Sequence, residues 1–379
     1  MRYFYLPNNN NIINKNDIII KYDNNEPIIC FSLIHYLTKS KNKINNHIEQ
    51  WDNYKKYTNT YEFIQTHVPN SKISISKYKP LSRSYFKMVE ILNTFKILDP
   101  YLLPINSFHL AEGPGGFIEA LASLRKNKND KYTGITLQGK DNYIPNWNKC
   151  KDIIKRFNNI FLEFGKDGTG DILSPDNLKY CFEKYSNKMD IITGDGGFDF
   201  SIDFNNQETL ASNLIFAEIC FAILLQKKGG TFILKYFDIF HKSSIDLLYI
   251  LNSFYSSVIV SKLYTSRSAN SEKYIICKNF KYDSTADFFD IFYKIFTTNN
   301  LKKNPISNFL NISIPYIFIN KIEEINCLLG QLQIDNINIT IDLINSKSKD
   351  KLETLKQKNV TKCIDWCVKN NIPHNTLSE

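Results

Sequence analysis

Four charged side chains fall where the sequence predicts the edge of a buried sheet: Lys87, Asp195, Lys235 and Glu272. Lys87 lies on a predicted helix before the first strand of that sheet, and the other three lie at or near the ends of later strands. Charges at such an edge are costly unless they are paired or used in chemistry. Two amines beside two carboxylates can bind and release protons as one coupled set. The pattern therefore indicates either proton-transfer chemistry or four separate structural ion pairs.

A glycine-rich turn follows the first of these strands, within HLAEGPGGFIEALASLR at residues 109–125. Its four residues, Gly113 to Gly116, stand between an apolar run and a helix-like repeat. A helix N-terminus favours an anionic ligand group, and glycine lets the backbone lie against a nucleoside. The turn is not GxGxxG and no GK[ST] follows, so the dinucleotide and P-loop interpretations are weak. A tight connection without a ligand is the alternative.

Strand and helix patterns alternate from Ser84 to Phe280. Parallel strands are predicted for FHLAE, YTGITL, NIFLEF, MDIITGD and TFILKYF, with helices between them; the long helix QETLASNLIFAEICFAILLQKKGG is expected to end on two glycines. The last two strands, SSVIVSKL and EKYIICKNF, are joined by a loop too short for a crossover and should form an antiparallel hairpin. We therefore predict an α/β fold, with a mostly parallel seven-stranded sheet, a final antiparallel hairpin and helices on both faces.

Composition limits the class of protein. The chain has 379 residues and a formal net charge of +9, which attracts polyanions, nucleic acid first, although a lysine-biased composition explains the charge equally well. Its eight cysteines are scattered without a CxxC pair, so we expect reduced thiols, no disulfide frame and no metal site. We find no signal-peptide segment and no uninterrupted apolar run long enough to cross a membrane. The expected location is intracellular, cytoplasmic or nuclear, or the host cytoplasm or virion if the source is viral.

Five ordered motifs resemble those of a known family: GPGGF, FGKDGTGDIL, TGDGGF, GGTFILKYFD and TSRSANSEKYIICK. They resemble the FtsJ-like 2′-O-ribose methyltransferases, which use S-adenosylmethionine and a Lys-Asp-Lys-Glu tetrad, and are most similar to the mRNA cap branch. The resemblance implies a Rossmann-like methyltransferase fold and methylation of the ribose 2′-hydroxyl of the first transcribed nucleotides of capped mRNA. Methylation of ribosomal or transfer RNA is an alternative, as is a non-catalytic RNA-binding or scaffold subunit.

By this resemblance Lys87, Asp195, Lys235 and Glu272 form the catalytic tetrad. The 2′-hydroxyl must lose its proton as the methyl group is transferred, and a lysine accepts that proton only when it is neutral. The pKa of free lysine is about 10.4, so Lys235 would need a lowered pKa to act as general base. Lys87 lowers that pKa, whereas Asp195 and Glu272 raise it. Two roles for Lys235 are therefore open, general base or a cation that orients the hydroxyl.

The resemblance also implies contacts with cofactor and RNA. We expect the methionine and ribose end of the cofactor beside Glu112, Gly113, Pro114, Gly115, Gly116 and Phe117, and its adenine beside Asp167, Asp171 and Ile172. The candidates for RNA contact are Arg267, Asn270 and Tyr236. A methylated cap guanine would also need an aromatic stacking partner. The implied partner is 5′-capped mRNA, and the capping and transcription machinery are candidate associates.

We predict three regions. Residues 1–80 form a polar N-terminal extension and a candidate contact for RNA or the cap. Residues 81–283 form the FtsJ-like methyltransferase domain, and residues 284–379 form a mainly helical C-terminal extension.

Overall fold

A computed structural model of the chain describes residues 2–8, 12–23, 26–139, 146–197, 206–299 and 301–376. Its strands are β1 Arg2–Tyr5, β2 Ile18–Lys21, β3 Asn106–Leu110, β4 Lys131–Ile135, β5 Ile160–Glu163, β6 Met189–Gly194, β7 Gln226–Tyr236, β8 Tyr255–Lys262, β9 Lys273–Phe280 and β10 Asn308–Leu310. The larger sheet has the order β1-β8-β9-β7-β6-β3-β4-β5, and β10 pairs with β2.

The centre of the sheet is parallel. Strands β3 to β7 run in one direction, while β9 is antiparallel to β7 and to β8. The prediction of a mostly parallel sheet closed by an antiparallel hairpin is confirmed, and all seven predicted strands are present. The carboxyl ends of β3, β6 and β7 lie side by side, which is where a sheet of this kind binds its ligand.

Helices cover both faces of the sheet, as predicted. They are α1 Phe31–Lys43, α2 Ile48–Thr58, α3 Ser84–Thr94, α4 Gly116–Arg125, α5 Lys151–Arg156, α6 Pro175–Tyr185, α7 Gln207–Leu225, α8 Lys242–Phe254, α9 Phe289–Thr298, α10 Tyr316–Ser346 and α11 Lys349–Lys369. One apolar core holds α7, α8 and α9, and a second core holds α3, α4 and part of α11.

Helix α7 bears on the expectation that no uninterrupted apolar run is long enough to cross a membrane. By length and composition alone, Gln207–Leu225 could span a membrane, but 89% of its most apolar stretch is buried inside the protein. It is therefore the core helix that one sheet face packs against.

The end of α7 differs from the prediction. The helix stops at Leu225 and β7 begins at once at Gln226, so the two expected terminal glycines lie inside the strand. The register between β6 and β7 shifts there, with Met189 opposite Gln226 and Ile191 opposite Thr231. Gly229 adopts a φ of +79°, a left-handed conformation that accommodates the extra residues of this bulge.

The N-terminal region is more regular than expected. Strand β1 adds an eighth strand antiparallel to β8, with Arg2 opposite Lys262, and β2 pairs with β10 from the C-terminal region. Side chains of both flanking regions lie in the two apolar cores, among them Leu6, Phe63 and Trp366. The boundaries near residues 80 and 283 stay a prediction.

Candidate active site

The glycine turn lies directly against the helix that carries Lys87. A Cβ atom on Gly116 would stand 2.2 Å from Ser84 Oγ and 2.3 Å from Ser82 Oγ, at the start of α3. A Cβ atom on Gly115 would make only ordinary contacts, 3.5 Å from Trp147 and 3.6 Å from Leu81, but Gly115 has a φ of +108°, which other residues rarely adopt. The two glycines thus serve different purposes: Gly116 permits close contact between α4 and α3, and Gly115 permits the backbone turn.

Glu112 has a different role from the one expected. Its side chain is 2% exposed, and its carboxylate accepts hydrogen bonds from the backbone N–H groups of Phe117 and Ile118. Burial raises the pKa of Glu112 well above its ordinary value, in spite of these hydrogen bonds. The N–H groups that we expected to attract an anionic ligand are therefore occupied by the protein's own carboxyl group. Phe117 is also fully buried, which leaves Gly113 and Pro114 as the partly exposed residues of the turn.

The expected adenine residues are held by their own loop. Asp167 accepts hydrogen bonds from Thr169, Ser174 and Asn177, and these lower its pKa to about 2 although burial raises it. Asp171 forms an ion pair with Lys302 at 2.5 Å. Ile172 is 3% exposed and belongs to the apolar core. Asp167 is exposed but hydrogen-bonded within its loop, and Ile172 is packed inside, so their contact with adenine stays a prediction.

This loop and the glycine turn approach the same point. The Gly113 N–H donates to Thr136 Oγ1 at 3.3 Å, just after β4. A Cβ atom on Gly170 would lie 2.0 Å from the carbonyl oxygen of Thr136, and the φ of Gly170 is +67°. Both loops therefore flank the carboxyl end of β4 with bare backbone.

The four charged side chains come together at the carboxyl edge of the sheet. Lys87 Nζ lies 2.7 Å from Glu272 Oε2, and Lys235 Nζ lies 3.4 Å from Asp195 Oδ1. Lys235 also donates to the carbonyl oxygen of Asp195 at 2.6 Å. Each of the four side chains is 12–18% exposed, so the cluster is enclosed yet reachable.

Tyr274 joins the two ion pairs and was not predicted from the sequence. Its hydroxyl donates to Asp195 Oδ1 at 3.1 Å, and Lys87 Nζ lies 5.8 Å from the centre of its ring. It follows Glu272 by two residues on β9, so the alternation of the strand could have pointed to it.

The neighbouring carboxylates keep Lys235 protonated. Burial lowers the pKa of Lys235, but Asp195 and Glu272 raise it above the ordinary lysine value. Burial raises the pKa of Glu272, but Lys87 and Lys235 lower it far more, so its pKa lies well below the ordinary value. The resting site therefore holds Lys235 as an ammonium group and Glu272 as a carboxylate.

Glu218 is a buried carboxyl group that the sequence analysis missed. It lies on α7, fully buried, and its Oε1 accepts the Gly196 N–H at 3.0 Å. A Cβ atom on Gly194 or Gly196 would stand 2.9 or 2.7 Å from this carboxyl group, which explains the glycines on either side of Asp195. A glutamate inside the apolar run NLIFAEICFAILL was the available signal.

The loop before Glu272 is held from several sides. Arg267 and Arg83 share the carboxylate of Glu62, at 2.9 and 2.7 Å, and Glu62 is 4% exposed. Glu90 accepts hydrogen bonds from the backbone N–H groups of Tyr264 and Thr265. Arg267 is thus tied to the N-terminal region rather than presented freely to RNA.

The remaining two candidates for RNA contact, Asn270 and Tyr236, differ in their exposure. Asn270 is exposed, and its carbonyl oxygen accepts a hydrogen bond from Lys262. Burial lowers the pKa of Lys262 to about 7, although Glu272 raises it. Tyr236 is 1% exposed and its hydroxyl donates to the carbonyl oxygen of Ser244 at 2.7 Å. The assignment of Tyr236 to RNA is wrong, because its ring is a core side chain on the opposite sheet face from Lys235.

Sheet order, glycine turn and charged edge together define a Rossmann-like methyltransferase. Residues 80–280, more than half of the chain, match the family described as FtsJ-like methyltransferase, and the chain belongs to that family. Similar curated proteins include the cap-specific mRNA (nucleoside-2′-O-)-methyltransferase 2 of Danio rerio, 30% identical over 86% of this chain and 45% of the relative. The protein of the same name from Drosophila melanogaster is 29% identical over 84% and 47% of the two chains.

A second type of relative covers the central region. The cap-specific mRNA (nucleoside-2′-O-)-methyltransferase 1 of Mus musculus is 32% identical over 56% of this chain and 26% of the relative. The chain spans less than half the length of each of these three relatives.

The methyl donor of this family is S-adenosylmethionine. The residues present fit such a nucleoside, because Gly113 and Pro114 are the partly exposed residues of the turn after β3, and Gly113 carries no side chain there. This turn borders Asp195, whose backbone N–H donates to the carbonyl oxygen of Leu110 at the end of β3. The methyl donor and the charged cluster would therefore share one edge of the sheet.

Proposed function

We propose that this chain transfers a methyl group from S-adenosylmethionine to the ribose 2′-hydroxyl of the first transcribed nucleotides of capped mRNA. The observation that carries the proposal is the enclosed cluster of Lys87, Asp195, Lys235 and Glu272 beside the glycine turn. The match to the FtsJ-like family and the names of its relatives support the same reaction and substrate.

The cofactor, when bound, supplies an electrophilic methyl group on a sulfonium. The protein's task is then to hold the 2′-oxygen in line with that carbon and to provide for the hydroxyl proton. Asp195 fixes the amine of Lys235 through both its carboxylate and its carbonyl oxygen. Tyr274 in turn donates to the carboxylate of Asp195, so the geometry of the amine is set before RNA arrives.

The raised pKa of Lys235 favours one of its two roles in the resting site. An ammonium group cannot accept a proton, but it can donate a hydrogen bond to the 2′-oxygen and leave the lone pair directed at the methyl carbon. We therefore propose that Lys235 acts first as the orienting cation, while the hydroxyl proton is released to water as the new O–C bond forms and the S–C bond breaks. Lys87 holds Glu272 in place from the other side, at 2.7 Å.

The substrate is tested with matched RNAs. Short RNAs with and without a 5′ cap are incubated with labelled S-adenosylmethionine, and the modified nucleotide is located by mass spectrometry. The proposal expects methyl on the ribose of a cap-proximal nucleotide and none on uncapped RNA. Equal methylation of uncapped RNA, or a methylated base, would refute it.

The tetrad is tested with Lys235→Ala. Methyl transfer should fall by about 100-fold or more, the usual scale for misplacing a reacting group, while calorimetry shows cofactor binding unchanged. Lys227→Ala is the matched control, since Lys227 lies on the same strand, is 59% exposed and pairs with Asp190 away from the cluster. Wild-type activity in Lys235→Ala would remove the assignment.

A further inference from the structure

A groove runs between helices α1 and α10, outside the candidate active site. The helices cross closely where Gly330 faces Leu33, because a Cβ atom on Gly330 would stand 2.9 Å from Leu33 Cδ2. Beside this crossing the groove has a volume of about 340 Å³. Its lining residues are Leu33, Tyr36, Lys39, Ser40, Lys43, Gln331, Ile334 and Asn338.

The lining combines an aromatic ring with positive charge. Tyr36 is 61% exposed, and Lys39 and Lys43 lie one helical turn apart, about 6 Å along α1. Within the described ranges neither lysine forms a salt bridge, and no carboxylate lines the groove. The acid next to it, Asp335, accepts a hydrogen bond from Gln331.

Helix α1 connects the groove to the region of the catalytic edge. Lys41, beside Ser40, reaches Asp238 at 3.5 Å. Asp238 lies three residues after Lys235 and also contacts Lys273, the neighbour of Glu272, at 3.3 Å. Helix α1 therefore contacts both the groove and the segment that follows Lys235.

We propose that this groove binds the single-stranded RNA chain of the substrate beyond the methylated nucleotide. The chemistry is that of a sequence-tolerant site, in which a base stacks on Tyr36 while Lys39 and Lys43 hold phosphates. The side-chain amides of Gln331 and Asn338 can hydrogen-bond to bases or sugars. This inference rests on the proposed RNA methyltransferase function and adds to it a second binding site, which only longer RNA chains reach.

The groove favours RNA over a protein segment. A helix-binding groove is built mainly from apolar side chains, whereas Leu33 and Ile334 are the aliphatic lining residues here. Two lysines without lining carboxylates leave the groove with an excess of positive charge, which a polyanion neutralises.

The test compares capped RNAs of about 4 and about 20 nucleotides, lengths that bracket the reach of one such site. Binding is measured by fluorescence anisotropy at several salt concentrations, and methyl transfer is measured separately on both RNAs. The variants are Lys39→Ala with Lys43→Ala, and Tyr36→Ala.

The lysine pair variant should lower the slope of log affinity against log salt by about 1.4 for the long RNA, since each lost phosphate contact removes about 0.7. Tyr36→Ala should weaken binding of the long RNA by about five-fold or more. Methylation of the short RNA should keep its wild-type kcat and KM, because it does not reach the groove.

The control for charge is Lys358→Ala with Lys362→Ala, two exposed lysines one turn apart on α11. Tyr316→Ala, at the start of α10 with 85% exposure, is the control for an exposed ring. An equal loss in the controls, unchanged binding of the long RNA by the groove variants, or an equal loss on the short RNA would overturn the proposal. If RNA binding depends on RNA length and requires the groove, but the protein shows no methyl transfer, the groove proposal is supported and only the proposed function is rejected.

Discussion

Glu218 makes the stability of this protein depend on pH in a way that can be calculated. Burial raises its pKa from the ordinary 4.5 to about 8, with Asp195 adding to the increase and the Gly196 N–H and Lys235 opposing it. Among the described residues its second oxygen, Oε2, has no hydrogen-bond partner. The folded protein therefore holds this carboxyl group in its neutral form at neutral pH.

The sign and size of the effect follow from the difference between the pKa of Glu218 in the folded protein and its ordinary value. A carboxyl group with a raised folded-state pKa gives its full stability below pH 4.5 and loses it as the pH rises towards 8. Each unit corresponds to about 1.4 kcal/mol, so the whole loss is about 4–5 kcal/mol over this range. Glu218→Gln keeps an acceptor for the Gly196 N–H but cannot ionise, and it should escape the loss.

The assay is urea unfolding of the wild type and of Glu218→Gln between pH 4.5 and 8. We expect the free energy of unfolding of the variant, relative to wild type, to rise by about 4–5 kcal/mol across the range. Glu183→Gln, at an exposed glutamate of α6, is the control and should differ from wild type by a constant amount. A constant difference for Glu218→Gln as well would refute the buried neutral carboxyl group.

Two further substitutions test the scaffold of the site. Gly115→Val should weaken cofactor binding in calorimetry by about 5- to 160-fold, because a β-branched residue is strained by about 1–3 kcal/mol at a φ of +108° and displaces the turn; unchanged affinity would contradict a cofactor site at this turn. Glu62→Gln should destabilise the protein by about 3–5 kcal/mol at pH 7, since Arg83 and Arg267 lose their shared buried carboxylate. Burial raises the pKa of Glu62, but Arg267 and Arg83 lower it to about 2, so this contribution is present above pH 4.5 and lost as the pH falls towards 2. Unfolding at two pH values measures it, and equal stability of variant and wild type at pH 7 would reject the clamp.

The alternation of strands and helices was readable from the sequence because it follows local periods. A buried strand shows an apolar run and a helix shows spacing of three and four residues, so the seven central strands were found without coordinates. The exceptions occur where local patterns are weak, as in β1, whose four residues form a strand only because β8 offers an open edge.

Residue types and strand ends also indicated where the charged groups meet. Lys235 at the carboxyl end of a parallel strand and Asp195 at the end of its neighbour had to meet at one edge, since all parallel strands of a sheet end on the same side. The alternation of side chains along β7 could equally have excluded Tyr236, the residue after Lys235, from that cleft.

Only the tertiary structure decided which partner each charged group takes. Glu62 meets Arg267 across 205 positions of sequence, Glu112 turns onto its own helix, and Glu218 reaches the backbone of Gly196 from α7. The free energy of such pairs depends on how packing removes water from both partners at once. Sequence spacing does not show which groups become buried together. The charged edge of the sheet could therefore be predicted, whereas the groups that hold it in place could not.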